Sequence, residues 1–190
     1  MYNYKKMFVM LFLGFGSGLP YILLISTSTA WLRDVNVDLS YIGFFTWITF
    51  TYTFKFVWAP LVDRFSIPFL AQYGHRKSWI AFMQILIFLS LLFISNIDPI
   101  ENFILFCAVG ATIAFAGSIQ DIAIDAFRIE YAHISDQGNL AASYQLGYRL
   151  AIIAATSIAL IFADINGWSM TFKLMAGFMC LGLLGVIFSK

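Results

Sequence analysis

The stretch SIQDIAIDAFRIE, residues 118–130, places two carboxylates, Asp121 and Asp125, inside an otherwise apolar run. A charged side chain at the centre of a bilayer helix costs about 2.5 to 3.5 kcal/mol even on the lenient insertion scale, so such groups usually mark a path for a solute or a proton. Arg149 is the lone cation of the next apolar segment and faces this acidic pair in the sequence pattern. The combination points to a membrane protein that carries a solute.

Composition leads to the same class. With 61% hydrophobic residues, 11% charged residues and a mean hydropathy of +0.85, the chain cannot present an ordinary soluble surface, and the lipid bilayer is its expected solvent and partner. A net charge of +1 argues against nucleic acid as a partner, since that binding needs concentrated Lys and Arg to neutralise phosphates. Cys107 and Cys180 lie in apolar stretches without ligand spacing around them, so no disulfide framework and no metal site is expected.

Six apolar segments can be drawn: Met7 to Trp31, Tyr41 to Pro60, Ser78 to Ile97, Phe103 to Arg128, Leu140 to Ala163 and Met170 to Phe188. Each is long enough, at about 1.5 Å per residue, to cross a hydrocarbon core of about 30 Å. Lipid offers the backbone no hydrogen bonds, so each must be helical, and the expected fold is all-α integral membrane with six transmembrane helices in one domain, residues 1–190. Lys5 and Lys6 ahead of the first segment and Ser28, Thr29 and Ala30 behind it imitate a cleaved leader. The apolar run exceeds that of a leader and five more follow, so it is expected to stay as a helix.

Lys5, Lys6, Arg64, His75, Arg76, Lys77 and Lys190 fall on one side of these spans, against Arg33, Asp34, Asp38, Asp98, Glu101 and Asp164 on the other. The positive-inside rule then puts both termini and the loop from Leu61 to Lys77 in the cytoplasm. Trp31, Trp58, Trp79 and Trp168 sit at span ends, where the headgroup layer suits an amphipathic ring. The longer connections are Leu61 to Lys77 and Ile129 to Asn139. Gly14, Gly16, Gly18 and Pro20 in the first segment fit either close backbone packing or a bend lining a path.

Charge is uneven among the helices. The third segment has only Gln84 as a strongly polar interior residue and the sixth only Lys173, which is expected to snorkel, so both are expected at the periphery. Lys55, Asp121 and Arg149 reach similar depths in segments two, four and five. Asp121, Asp125 and Arg128 are spaced to share one stripe of a helix, and Asp125 is expected to pair with Arg128. Asp121 then needs Arg149 or Lys55, either as a structural pair or as part of a substrate or proton site. Tyr144, Gln145 and Tyr148 beside Arg149 offer hydrogen bonds to a sugar or amide, or plain interhelical contacts. His75 and His133 are read as loop residues. No metal cluster, nucleophile elbow or phosphate loop points to an enzyme.

The loop WAPLVDRFSIPFLAQYGHRKSW, residues 58–79, is similar to the cytoplasmic signature of major facilitator transporters, in which an Asp-Arg pair and following basic residues latch helices together. Asp63, Arg64, Arg76 and Lys77 are the latch candidates. The match is partial: Ala59 and Ser66 stand where glycines are usual, and an insertion from Ile67 to Tyr73 precedes Gly74. More specifically, GFGSGLPY (14–21), AWLRDVNVDLSYIGFF (30–45), YTFKFVWAPLVDR (52–64), SIQDIAIDAFRIE (118–130) and LGYRLA (146–151) together resemble the AmpG-type muropeptide permeases of Gram-negative bacteria.

That resemblance implies one half of a major facilitator fold in the bacterial inner membrane, and import of anhydromuropeptides for cell-wall recycling. It brings the proton gradient as coupling ion, no cofactor, and Lys55, Gln120, Asp121, Asp125, Tyr148 and Arg149 as candidates for binding substrate or proton. The same motifs are similar to those of acetyl-CoA transporters, an alternative substrate class. Major facilitators pair two six-helix halves around a midplane site. A chain that ends after one half is therefore expected to pair with a second six-helix half or a second copy, or else to be a truncated remnant or membrane interaction subunit that moves nothing.

Overall fold

The computed structural model describes residues 4–67 and 74–189, and every regular element among them is helical. Helix α1 (Tyr4–Ile22) continues through a π-turn (Leu23–Thr27) into α2 (Ser28–Asp34). Helices α3 (Leu39–Thr46), α4 (Phe50–Thr53) and α5 (Lys55–Arg64) follow, then α6 (His75–Ile94) and α7 (Phe103–Tyr131). Helix α8 (Gln137–Ile153) passes through a second π-turn (Ala154–Ile158) into α9 (Ala159–Asn166), and α10 (Trp168–Phe188) closes the bundle.

Among the described residues, five helical runs are long and apolar enough to cross a membrane: Tyr4–Asp34, His75–Ile94, Phe103–Tyr131, Ile134–Asn166 and Trp168–Phe188. The sixth expected span, Tyr41 to Pro60, is interrupted. A 3-10 turn at Trp47–Thr49 separates α3 from α4, and Phe54, at φ −86° and ψ 11°, separates α4 from α5. Thr46, Thr49 and Thr51 turn their hydroxyls back onto the carbonyls of Gly43, Thr46 and Ile48, each at 2.7 Å. Hydroxyls bonded into their own helix in this way compete with the backbone ladder and bend it. The broken run still lies along α7, with Phe45 against Gly110 and Tyr52 against Gly117. At its outer end Asp38 accepts the Ser40 backbone N–H at 2.8 Å, which caps α3 and holds the Asp38 carboxyl below its usual range.

Helix α1 is the hub, packed on α8, α10 and α7, while α6 joins α7 to α10. Of the two readings of GFGSGLPY, close backbone packing is the one seen at Gly14. A Cβ on Gly14 would collide with the Tyr144 carbonyl and one on Gly147 with the Leu11 carbonyl, so α1 and α8 touch backbone to backbone. A change in helix geometry comes just after Pro20, which lacks an N–H and crowds the preceding turn. The π-turn there faces the one at Ala154–Ile158, and Thr27 donates its hydroxyl to the Ala155 carbonyl across the gap.

Several sequence expectations shift. The connection from Ile129 to Asn139 is mostly helical: α7 runs to Tyr131 and α8 starts at Gln137 after a 3-10 turn at Ile134–Asp136. Gln137 Nε2 donates to the carbonyls of Arg128, Ile129 and Ala132 at 3.1 to 3.2 Å, closing the open end of α7. His75 starts α6 rather than lying in a loop, and its ring nitrogen sits 2.8 Å from the Val62 carbonyl. His133 is exposed in the short connection, as read from the sequence.

Trp31 does not mark a headgroup layer. It is buried among Phe106, Phe172 and Trp168, the last stacked at 6.2 Å, and Trp168 donates its indole N–H to Asp34 at 2.7 Å. Trp58 packs edge-on against Phe115, well inside α7. Of the insertion from Ile67 to Tyr73, residues 68–73 lie outside the described residues, as does Lys190. Apolar side chains cover the exposed flanks, among them Phe82, Leu89, Phe93, Ile153, Ile161 and Phe188, and Lys173 is exposed beside them. Such flanks suit lipid contact.

Candidate functional site

The site forms where α1, α7, α8 and the broken α3–α5 run converge. Asp121 is presented by α7, and its hydrogen bond comes from Ser17 on α1, whose hydroxyl donates to Asp121 Oδ1. Tyr144 on α8 completes the chain, its hydroxyl 2.7 Å from Ser17 Oγ. With the Ser17 proton directed at the carboxylate, Tyr144 is the donor to Ser17. Three helices are thus tied together through a Ser17 side chain that is only 1% exposed.

In front of this chain lies a cavity of about 380 Å³, lined by Tyr21, Thr49, Phe50, Tyr52, Thr53, Lys55, Asp121 and Tyr148. Tyr21 and Tyr52 meet edge to face with centroids 4.8 Å apart. The Tyr52 hydroxyl occupies space that a Cβ on Gly117 would take, and it is buried without a hydrogen-bond partner among the described residues. The break between α4 and α5 brings Tyr52 and Lys55 to this wall together. The lining therefore offers a carboxylate, an ammonium and aromatic faces with hydroxyl edges, a set able to bind a polar solute and hold it against flat rings.

The expected ion pair of Asp121 with Lys55 or Arg149 is absent: no ion pair within 4.0 Å joins it to either cation among the described residues. Lys55 shares the cavity with Asp121, but sequence distance does not fix where around the bundle a side chain sits. A hydroxyl can also satisfy a carboxylate's lone pairs, which reasoning from charges alone overlooks. Arg149 is exposed and is not part of the cavity wall that its neighbour Tyr148 lines, since consecutive helical residues diverge by about 100°. Gln120 is fully buried beside α1 and turned away from the cavity. Asp125 pairs with Arg128 at 3.7 Å, as the spacing predicted.

At the far end of the bundle Arg76 joins two carboxylates. Its guanidinium binds Asp63 of α5 through Nη1 and Glu130 of α7 through Nε, the latter at 3.1 Å, so the starts and ends of three helices meet at one side chain. Lys77 turns instead to the Ser189 carbonyl at 2.8 Å and lies 5.8 Å from the centre of the Phe127 ring. Arg64 is exposed and joins neither pair.

Ser17, Tyr21, Tyr52 and Glu130 were not singled out from the sequence. A lone hydroxyl among the glycines of GFGSGLPY was the available signal for Ser17, and Glu130 closes the very stretch that carries Asp121.

The profile of the Major Facilitator Superfamily matches residues 5–190. Over 173 residues the chain is 35% identical to "Putative transporter AmpG 4" of Rickettsia conorii, covering 90% of this chain and 42% of that protein. Over 169 residues it is 37% identical to "Anhydromuropeptide permease" of Escherichia coli strain K12, covering 88% of this chain and 34% of that protein. "Putative transporter AmpG 3" of Rickettsia typhi is 32% identical over 90% of this chain and 41% of its own length. The chain thus spans well under half the length of these relatives and corresponds to an N-terminal half of such a protein.

Proposed function

We propose, starting from the fact that the chain belongs to the major facilitator superfamily, that it forms the first half of a proton-linked importer of anhydromuropeptides in a bacterial inner membrane. The observation that carries this reading is Asp121: a carboxylate deep in an apolar bundle, held by Ser17 and opening on a cavity with Lys55, Tyr21, Tyr52 and Tyr148. Asp121 is the proton-carrying group. Lys55 and the tyrosines supply a cation for a peptide carboxylate and ring faces for sugars. The second half of the binding site comes from another six-helix half or a second copy.

Both termini face the cytoplasm in this reading, which puts the Asp63–Arg76–Glu130 cluster on the inner side as the latch that holds α5, α6 and α7 together. The relative named a permease supports uptake as the activity, and the loop charges support the direction.

Uptake of labelled anhydromuropeptide into membrane vesicles carrying the chain, alone and with a second six-helix half, tests the proposal. Accumulation that collapses on adding a protonophore is expected, and Asp121→Asn should abolish it at unchanged membrane abundance. Asn keeps the shape and hydrogen-bonding capacity but cannot bind and release a proton near neutral pH. Wild-type accumulation by Asp121→Asn would place coupling elsewhere, and no uptake by either assembly would refute the reading. Uptake of acetyl-CoA in preference to the muropeptide would change the substrate.

A further inference from the structure

Behind Ser17 and Asp121 the bundle holds two glutamines that the cavity does not use. Gln84 of α6 and Gln120 of α7 are both 0% exposed, and the amide nitrogen and oxygen of each have no hydrogen-bond partner among the described residues. Four orphaned amide atoms in an apolar interior are costly, because each has given up water without compensation.

The glycines beside them make the site. The point where a Cβ on Gly16 would stand is 3.0 Å from Gln84 Nε2, 3.7 Å from Gln120 Nε2 and 3.0 Å from the Gly182 Cα. A Cβ on Gly182 would likewise crowd Gln84 Nε2, at 2.6 Å. Gly16 of α1 and Gly182 of α10 thus bring backbone against the Gln84 amide, and the Gln120 amide approaches the same point, so the two amides converge on one locus among four helices.

We propose that this locus is an internal water site, in which water held between Gln84 and Gln120 completes the contact of α1 with α6, α7 and α10. The donor and acceptor inventory selects the ligand. Each amide carries a donating NH₂ and an accepting oxygen, and all four atoms need partners. A cation would satisfy the two oxygens and oppose the two NH₂ groups, and an anion would do the reverse. Water both donates and accepts, and two to four polar partners are what a buried water needs. Gly16 precedes Ser17 and Gln120 precedes Asp121, so the water lies one residue behind the Ser17–Asp121 hydrogen bond on both helices. The site stands independently of what the cavity in front of Asp121 carries.

Water-edited solid-state NMR on the folded chain in lipid bilayers, with ¹⁵N-labelled glutamine and water itself as the probe, tests this. The Gln84 and Gln120 side-chain amides, assigned by Gln84→Met and Gln120→Met, should receive water magnetisation several-fold faster than the buried backbone amides of Met10 and Ile87. Gln84→Met should also slow the transfer to Gln120. If that variant does not fold, Gln84→Asn, which shortens the amide by one carbon and keeps its polarity, should slow it as well. Transfer to both amides at the rate of the buried backbone overturns the site, as does a direct coupling between the Gln84 and Gln120 amides. Transfer to Gln120 that neither variant alters also overturns it.

Discussion

Replacing Gly147 by alanine tests the backbone seam on which the site depends. A Cβ there would collide with the Leu11 carbonyl and crowd the Phe15 nitrogen, both main-chain atoms of α1. Backbone cannot turn aside as a flexible side chain can, so α1 and α8 must separate. Overpacking of a tight interface costs about 1 to 3 kcal/mol, and a neighbour of this kind puts the cost toward the upper end. Alanine returns at most about 1 kcal/mol of helix propensity, leaving a net loss of about 1 to 2 kcal/mol. For a chain of this size that is a fall of about 2 to 8 °C in melting temperature. Gly177 of α10 is the control: nothing lies within 4 Å of a Cβ placed there, so Gly177→Ala gains the propensity alone and should hold or raise the melting temperature. Chromatographic recovery of the detergent-solubilised chain after stepwise heating reads both. Equal behaviour of the two variants, or a stable Gly147→Ala, would refute the backbone contact.

Ser17→Ala removes the hydroxyl between Asp121 and Tyr144 and should cost about 0.5 to 2 kcal/mol in the same heating assay, because two part-buried polar groups, one of them a carboxylate, lose their partner. An unchanged melting temperature would mean that other groups hold the carboxylate. Arg76→Ala should lower stability by about 0.2 to 1 kcal/mol for each of its two pairs, since Asp63 and Glu130 are each 58% exposed although the Arg76 side chain is only 17% exposed; an unchanged melting temperature would mean that the cluster does not hold α5, α6 and α7 together. With Cys107 and Cys180 replaced, an impermeant maleimide applied to spheroplasts should label Glu101→Cys and spare Ser66→Cys, and the reverse pattern would invert the membrane orientation.

What the sequence makes legible here follows physical range. Apolar runs locate helices because the bilayer demands a closed backbone, and the five long runs fall where hydropathy places them. The Asp125–Arg128 pair was legible because both partners lie on one helix, where spacing sets geometry. The break at Trp47–Thr49 was not, because the hydroxyl bonds of Thr46, Thr49 and Thr51 act within a run whose hydropathy is unaffected. Nor was the Ser17–Asp121 contact, which joins residues 104 positions apart through the azimuth of two helices. Azimuth is set by the Gly14 and Gly147 seam, and glycines in a sequence announce a close approach without naming what approaches.

The partner that Asp121 takes bears directly on coupling. A carboxylate buried against Lys or Arg is satisfied in one protonation state only, since adding a proton would leave a cation unpaired at about 3 to 5 kcal/mol. Ser17 is a partner of another kind, because a hydroxyl both donates and accepts. With Asp121 ionised, Tyr144 donates to Ser17 and Ser17 donates to the carboxylate; with Asp121 protonated, its O–H can donate to Ser17 Oγ, and the Ser17 proton can turn toward the Tyr144 oxygen. Either state keeps the three side-chain oxygens linked, so the proton can come and go without tearing α1 from α7. The Ser17 contact is therefore better suited to a group that cycles its proton than the expected ion pair would have been, and it leaves Lys55 uncommitted on the cavity wall for an incoming carboxylate.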